Sequence, residues 1–448
     1  AAGASPSSST NQRSKFTFSN ETMASMPSFV VSRNTFGGAS STTRGYLSGG
    51  FGNTSMGDTQ NNRLYNQYSN DASGLVPGGS TSQNAGGMFS MNDSTKLYDV
   101  KNKAVIPGII DSHSHLVWGG DRSREVRLRQ QGKTYAEIAK MGGGINSTVL
   151  STRELSENAL FEISKRRAMI ALSNGTTHLE TKSGYGLTVE SEIKLLKVAK
   201  RLQQDAHTPS IDSTWLGAHA VPKNHTQESY VEELISNQLP AIAETGLARS
   251  ADVFCEPGWF TLEESEYILN EAKSHGLALR MHIDEFCDGG GGELAAKLKV
   301  DTADHAHHTS EAGRQALKNA NVNTGFLPGT PYSMGTEWPD FNSMINTNAP
   351  WTVASDFNPN NQVLSIPFIA SCLVQRCKVD PLATLAACTI NPSFTTPHNS
   401  GLSHGKIAVG AVANINILQS QQWESWCLTP GHSPVDATFM SGEKVNEY

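Results

Sequence analysis

No run of apolar residues in this 448-residue chain approaches the roughly 18 that a membrane-spanning helix requires, which excludes a helical span within it. The Ser-rich beginning has neither a charged segment nor the apolar stretch of a secretory signal. The chain starts with Ala1 rather than Met, so it is read as processed or trimmed, with targeting information that could lie outside it. Basic residues are not in surplus: 35 Lys and Arg against 42 Asp and Glu leave a net charge of −7. That balance excludes a binder of phosphate backbones, which needs excess cations to displace counterions. The six cysteines show no CxxC pair and no short-loop framework, as in a chain kept reduced. A soluble, cytoplasmic protein without nucleic-acid or membrane partners is the expectation. Histidine is missing from the first 95 residues, and charge is sparse there. Gly-Gly pairs at 37–38, 49–50, 78–79 and 86–87 interrupt every pattern, which reads as an irregular leader. Phe29–Val31 and Lys96–Val100 are the short pieces that could be strands.

From Ala104 the texture changes. Val105–Ile110 is a short apolar run ending at Asp111, as a buried parallel strand reads. Further strand candidates are Thr176–Glu180, Ser213–Ala220, Asp252–Glu256, Leu277–Ile283, Asp301–Asp304, Val322–Leu327 and Trp351–Ser355. Helix-length segments separate most of them. One spans 153–173, with Leu155, Ala159 and Ile163 at four-residue spacing and a stop at Asn174-Gly175; another lies around 189–204. Eight such units fit a TIM-like (β/α)₈ barrel, although a doubly wound sheet would alternate in the same way. After 390 the chain is rich in Gly and Asn, with a strand-like Ala413–Leu418. The expected architecture is therefore α/β. An irregular leader and part of a small β-domain occupy 1–103, the barrel 104–390, and the rest of a small β-sandwich 391–448.

His113-Ser114-His115 stands at the C-terminal end of the first strand candidate, and residues two apart in a strand face the same side. His282, His305 and Asp356 each close another strand candidate, at the end where barrels carry their chemistry. Singly, each reads as a hydrogen-bonded polar residue at the start of a loop. Together, three histidines and one carboxylate from this group make an N₃O set for zinc or iron. Such a cation lowers the pKa of water and polarises a carbonyl or amidine, so a partner must shuttle protons. Glu285, three residues after His282, could reach a leaving nitrogen. His305 could serve as base or oxyanion partner, and Asp356 could share the proton work.

Several blocks resemble the imidazolonepropionase family of the amidohydrolase superfamily: Pro107–His115, Gly119–Arg122, Gly142–Ile145, Lys182–Gly186, Gly217–Ala220, Asp252–Glu256, Leu327–Thr330 and Ser355–Asn360. The last is closer to the eukaryotic-type version than to the usual bacterial one. The resemblance runs in the family's order over about 100–410. It implies hydrolysis of 4-imidazolone-5-propanoate to N-formimidoyl-L-glutamate by water activated on one divalent metal ion, zinc or iron, and it implies a homodimer. Carried over by motif, His113, His115, His282 and Asp356 would bind the metal. Arg122 would bind the propanoate carboxylate, a task suited to a planar bidentate donor. Tyr185 and His219 would contact the substrate, Glu285 would hydrogen-bond the ring nitrogen, and His305 would act in proton transfer. Asn358, Asn360 and Asn361 would line the product side. His307 and His308 read as surface or helix-start residues. Two other classes stay open: a related amidohydrolase that deaminates a nucleobase or other N-heterocycle, and a non-catalytic amidohydrolase-like scaffold.

Overall fold

The computed structural model describes residues 15–18, 29–31, 96–133 and 135–447. Most of the expected irregular leader therefore lies outside the described residues. Its strands are β1 (Lys15–Phe18), β2 (Phe29–Val31), β3 (Lys96–Asp99), β4 (Val105–Pro107), β5 (Ile109–Asp111), β6 (Thr176–Lys182), β7 (Ser210–Ala218) and β8 (Ser250–Cys255). They continue with β9 (Ala278–Ile283), β10 (Thr302–His305), β11 (Asn323–Phe326), β12 (Trp351–Val353), β13 (Ile415–Leu418), β14 (Val435–Met440) and β15 (Glu443–Glu447).

β5 to β12 form one eight-stranded parallel sheet in sequence order. Past the strand ends, the Asp356 amide donates to the His113 carbonyl (3.0 Å) and the His115 amide to the Phe357 carbonyl (2.7 Å), which brings the two edges together. The result is a nearly closed TIM-like barrel, and all eight expected strands take part. Side chains alternate along each strand. Leu179, Ala251, Val253, Leu279, Met281 and Ala303 face outward into the apolar layer under the helices. The intervening Glu180, Lys182, Asp252, Arg280, His282 and Asp304 are buried polar residues that bond to one another or to the loops. The barrel interior is thus charged where the outer layer is apolar.

The helices follow their local signals. Thr188 caps Val189–Gln203 by accepting from the Ser191 amide, and Thr261 with Glu264 forms a capping box on Leu262–Ser274. The 153–173 expectation needs correction. The helix there is Glu157–Ser173, capped by Ser156, and a separate helix covers Gly144–Glu154. Its buried face is Leu160, Ser164, Ala168, Ala171 and Leu172 rather than Leu155, Ala159 and Ile163, because small residues let it sit close to the sheet.

A second correction concerns Val105–Ile110, which is two strands. β4 pairs antiparallel with β13 in a sheet of order β15-β14-β13-β4, whereas β5 starts the barrel. β1 to β3 form a separate three-stranded antiparallel sheet, and Tyr98 of β3 meets Phe439 of β14 edge-on at 5.1 Å. Gly108 is the joint between satellite and barrel. Its amide donates to the Asn414 carbonyl (2.8 Å), and a Cβ there would lie 2.3 Å from Thr177 Oγ1 and 2.9 Å from Asn414 Cβ. No side chain fits in that gap. Gly108→Ala should lower stability by about 1–3 kcal/mol through overpacking, read as an earlier chemical-denaturation midpoint; an unchanged midpoint would refute this view of the joint.

Candidate metal and active site

The C-terminal ends of the barrel strands enclose a cleft of about 590 Å³ that opens to solvent. His115, Arg122, Tyr185, His219, His282, Glu285, His305, Asp356, Asn358, Asn360 and Asn361 all line it, and His113 sits buried beneath. Every candidate residue from the sequence therefore converges on one place.

His113 follows β5 by two residues, and its Nδ1 lies 2.6 Å from Asp304 Oδ2. Its Nε2 is buried and has no hydrogen-bond partner among the described residues; Asp356 Oδ1 is 3.6 Å away. His282, inside β9, has Nδ1 3.0 Å from Asp252 Oδ1 and Nε2 3.4 Å from His115 Nε2. His115 Nε2 is 3.5 Å from Asp356 Oδ1. Two sets of ligand atoms lie within 4.8 Å of one another: His113, His115 and Asp356, and His113, His282 and His305. An imidazole with one nitrogen fixed by a carboxylate and the other left without a partner is how proteins aim a metal ligand. The nitrogen-rich donor set with one carboxylate fits a zinc-like or iron-like cation.

The backbone is bent to make this convergence. His305 (φ 69°) and Asp356 (φ 48°) adopt the left-handed conformation just where their strands end. Asn361 holds the second bend: its Nδ2 donates to the Ser355 carbonyl (2.9 Å) and the Asp356 carbonyl (3.0 Å), and its Oδ1 accepts from Ser333 Oγ (2.9 Å). Its amide is fully engaged in that support. The Thr330 hydroxyl donates to Asp356 Oδ2, leaving Oδ1 toward the histidines. His307 packs edge-on against Phe341 and belongs to neither donor set.

Burial dominates the electrostatics. It lowers the pKa of His113, His115 and His305 well below the ordinary value, with neighbouring positive groups adding to the effect, and brings His219 to about 3. These rings are neutral, as ligands and proton acceptors need to be. Burial, with the charges of Asp356 and Glu256, raises Glu285 well above the carboxylate range. Glu285 Oε2 lies 3.7 Å from His305 Nε2. Burial also raises Asp252, but the charges of His282 and Lys182 outweigh it and keep that carboxylate ionised.

On the substrate side, His219 stacks on His115 at 5.3 Å and donates through Nδ1 to the Gly184 carbonyl (2.9 Å), and Tyr185 sits edge-on to His219 at 5.1 Å. Arg122 is buried, with Nε 2.9 Å and Nη2 2.7 Å from the two carboxylate oxygens of Glu125. Phe254 and Trp259 (5.1 Å), with Phe286 beyond Trp259 (5.4 Å), form an aromatic wall opposite. Sequence reasoning did not identify Glu125, Lys182, Asp252, Asp304, Glu256 or Thr330 as parts of the site. For Lys182, Asp252 and Asp304 a signal existed: ionisable residues inside strands, two positions from another polar residue on the same face.

Residues 104–445 match the amidohydrolase family. An imidazolonepropionase of Geobacillus thermodenitrificans (strain NG80-2) is 40% identical over 332 residues, 73% of this chain and 77% of its own length. That of Solibacter usitatus (strain Ellin6076) is 36% identical over 360 residues, 80% and 85% of the two chains. The fold is also that of a 5-methylcytosine deaminase from Klebsiella pneumoniae, with a TM-score of 0.61 at 15% identity over 79% of this chain and 92% of that one. Family and donor cluster together support a divalent metal.

Two outcomes follow from the supporting carboxylates. Asp252→Asn should weaken metal affinity about 10- to 100-fold by releasing His282, measured by chelator competition; equal affinity would mean that Asp252 does not orient the ring. Glu256 is buried and accepts from the Glu285 amide, and burial with the Asp284 charge raises its pKa from 4.5 to about 7. A carboxyl raised on folding contributes stability that is present below pH 4.5 and is lost as pH rises through about 7. Glu256→Gln should therefore flatten the fall in stability between about pH 5 and pH 8, seen in denaturation midpoints; an unaltered slope would assign that fall to other groups.

Proposed function

The chain belongs to the amidohydrolase family and, within it, to the imidazolonepropionases, and from that membership we propose how its residues divide the work. The reaction is hydrolysis of the ring C–N bond of 4-imidazolone-5-propanoate to N-formimidoyl-L-glutamate, a step of histidine degradation. The observation that carries the reading is the convergence of His113, His115, His282, His305 and Asp356 beneath a cleft bordered by Arg122, Tyr185 and His219.

In this proposal His113, His115, His282 and Asp356 hold one divalent cation, zinc or iron. When bound, the cation supplies Lewis acidity, easing ionisation of water and polarising the ring carbonyl. Asp304 and Asp252 hold the His113 and His282 rings in register. His305, kept neutral by burial, accepts the proton of the attacking water through Nε2, with Asp356 sharing in that transfer. Glu285, kept protonated by burial and its acidic neighbours, hydrogen-bonds the ring nitrogen and delivers a proton to it as the C–N bond breaks. The 3.7 Å between Glu285 and His305 supports a return path for that proton. Arg122 binds the propanoate, Tyr185 and His219 flank the ring, and Asn358 and Asn360 face the product while Asn361 fixes their loop.

The six cysteines are free thiols, and no helix among the described residues is long and apolar enough to cross a membrane. These support a cytoplasmic enzyme, which we take to work as a homodimer. We likewise propose the division into a leader with part of the small β-domain (1–103), the barrel (104–390) and the rest of the β-domain (391–448).

Freshly prepared 4-imidazolone-5-propanoate should lose its ultraviolet absorbance when mixed with the metal-loaded protein. No decay, with ammonia released from cytosine or guanine instead, would replace this reading with deamination. A gently purified protein holding far less than one metal per chain would point to a scaffold.

A further inference from the structure

The carboxylate end of the cleft has a charge problem. Arg122 is joined edge-to-edge to Glu125, both buried, and Glu125 Oε1 also accepts from the Gly144 amide (2.9 Å). That pair is neutral as a unit. It offers directional hydrogen bonds to an anion but no net positive charge. Arg129 lies on the same helix, Ser123–Gln130, four residues beyond Glu125 and seven beyond Arg122, which places all three on one face. Arg129 is half-buried, and its Nη1 reaches only the neutral Asn360 Oδ1, at a long 3.4 Å. No carboxylate lies within ion-pair distance of it among the described residues. Asn360 in turn lines the cleft, as does Arg122. Among the described residues, Arg122, Arg129 and Glu125 together carry one positive charge, the complement of a single propanoate.

We propose that Arg129 is the second cation of the substrate-carboxylate site and a determinant of specificity for acidic substrates. Glu125 is a positioning residue that fixes the plane of Arg122 and the turn at Gly144. The inference rests on the substrate reading above. Asn360 Oδ1 is the group that Arg129 Nη1 reaches. A carboxylate bridging Arg122 and Arg129 would take the place of that weak contact with a charge-assisted bond. A merely structural Arg129 would instead pin the helix to the 358–361 loop and act alike on any ligand.

The test separates these roles without turnover. Metal-loaded wild type, Arg129→Gln and Arg129→Lys are titrated calorimetrically with 3-(imidazol-4-yl)propanoate and with its primary amide. Arg129→Gln should weaken acid binding about 10- to 100-fold, the range of one charge-assisted hydrogen bond. The amide should bind the variant as it binds the wild type, and Arg129→Lys should retain part of the preference for the acid. In assays with the natural substrate, KM should rise in Arg129→Gln while kcat holds within about twofold. Unchanged acid binding, or acid and amide weakened equally, would overturn the proposal. So would a wild type that does not distinguish the two probes. Turnover of imidazolonepropanoate by the wild type tests the functional reading separately.

Discussion

Lys182 is an ammonium group with no exposed surface, held 3.0 Å from Glu180 and 2.8 Å from Asp252 at the centre of the barrel. Burying it unpaired would be prohibitive, so carboxylates must stand beside it. Burial by itself lowers the pKa of Lys182, and the charges of Asp252 and Glu180 more than reverse that. Asp252 then serves twice, answering Lys182 with one oxygen and His282 Nδ1 with the other. The same carboxylate that makes the buried lysine tolerable therefore aims a metal-ligand candidate. The outward-facing residues of these strands supply hydrophobic stability, and the inward row supplies orientation.

This interior row continues in both directions. Below, Arg280 donates to the Ser112 carbonyl (3.1 Å) and the Thr395 carbonyl (2.6 Å), tying the loop that carries His113 to a segment 115 residues beyond Arg280 in the chain. Above, Asp304 steadies His113, while Thr302 donates to its other oxygen at 2.6 Å. His113 and His282 thus each have Nδ1 committed to a carboxylate and Nε2 turned toward the other candidate ligands. His282 and His305 lie within strands, His113, His115 and Asp356 lie just beyond them, and the left-handed His305 and Asp356 are held by their surroundings against local preference.

The cleft separates two kinds of electrostatics. At its floor, burial keeps His113, His115 and His305 neutral and Glu285 protonated, states suited to ligating and to passing protons. At its rim, Arg122 and Arg129 flank Glu125, a charged surface suited to an acid. In the proposed division of roles, proton transfer belongs to the strand ends and capture of the substrate's carboxylate to Arg122 and the helix that follows it. The substrate's ring and tail have to span both, which links binding of the tail to placement of the reacting bond.

The sequence by itself determined the strand periodicity, the eight-unit count and the positions of His113, His115, His282, His305 and Asp356 at strand ends. Those signals are local, since alternation and chain breaks depend on neighbours a few residues apart. It also carried the family blocks that pointed to the substrate. It did not reveal that Val105–Ile110 serves two sheets, because the exclusion of a Cβ at Gly108 comes from Thr177 and Asn414, both far away in the chain. Nor did it reveal Asp304 beneath His113, 191 residues apart, or Glu125 closing the fork of Arg122. Which carboxylate answers which cation is decided by strand register and burial, and a low-dielectric interior makes each such pairing obligatory. Only the tertiary structure sets those distances.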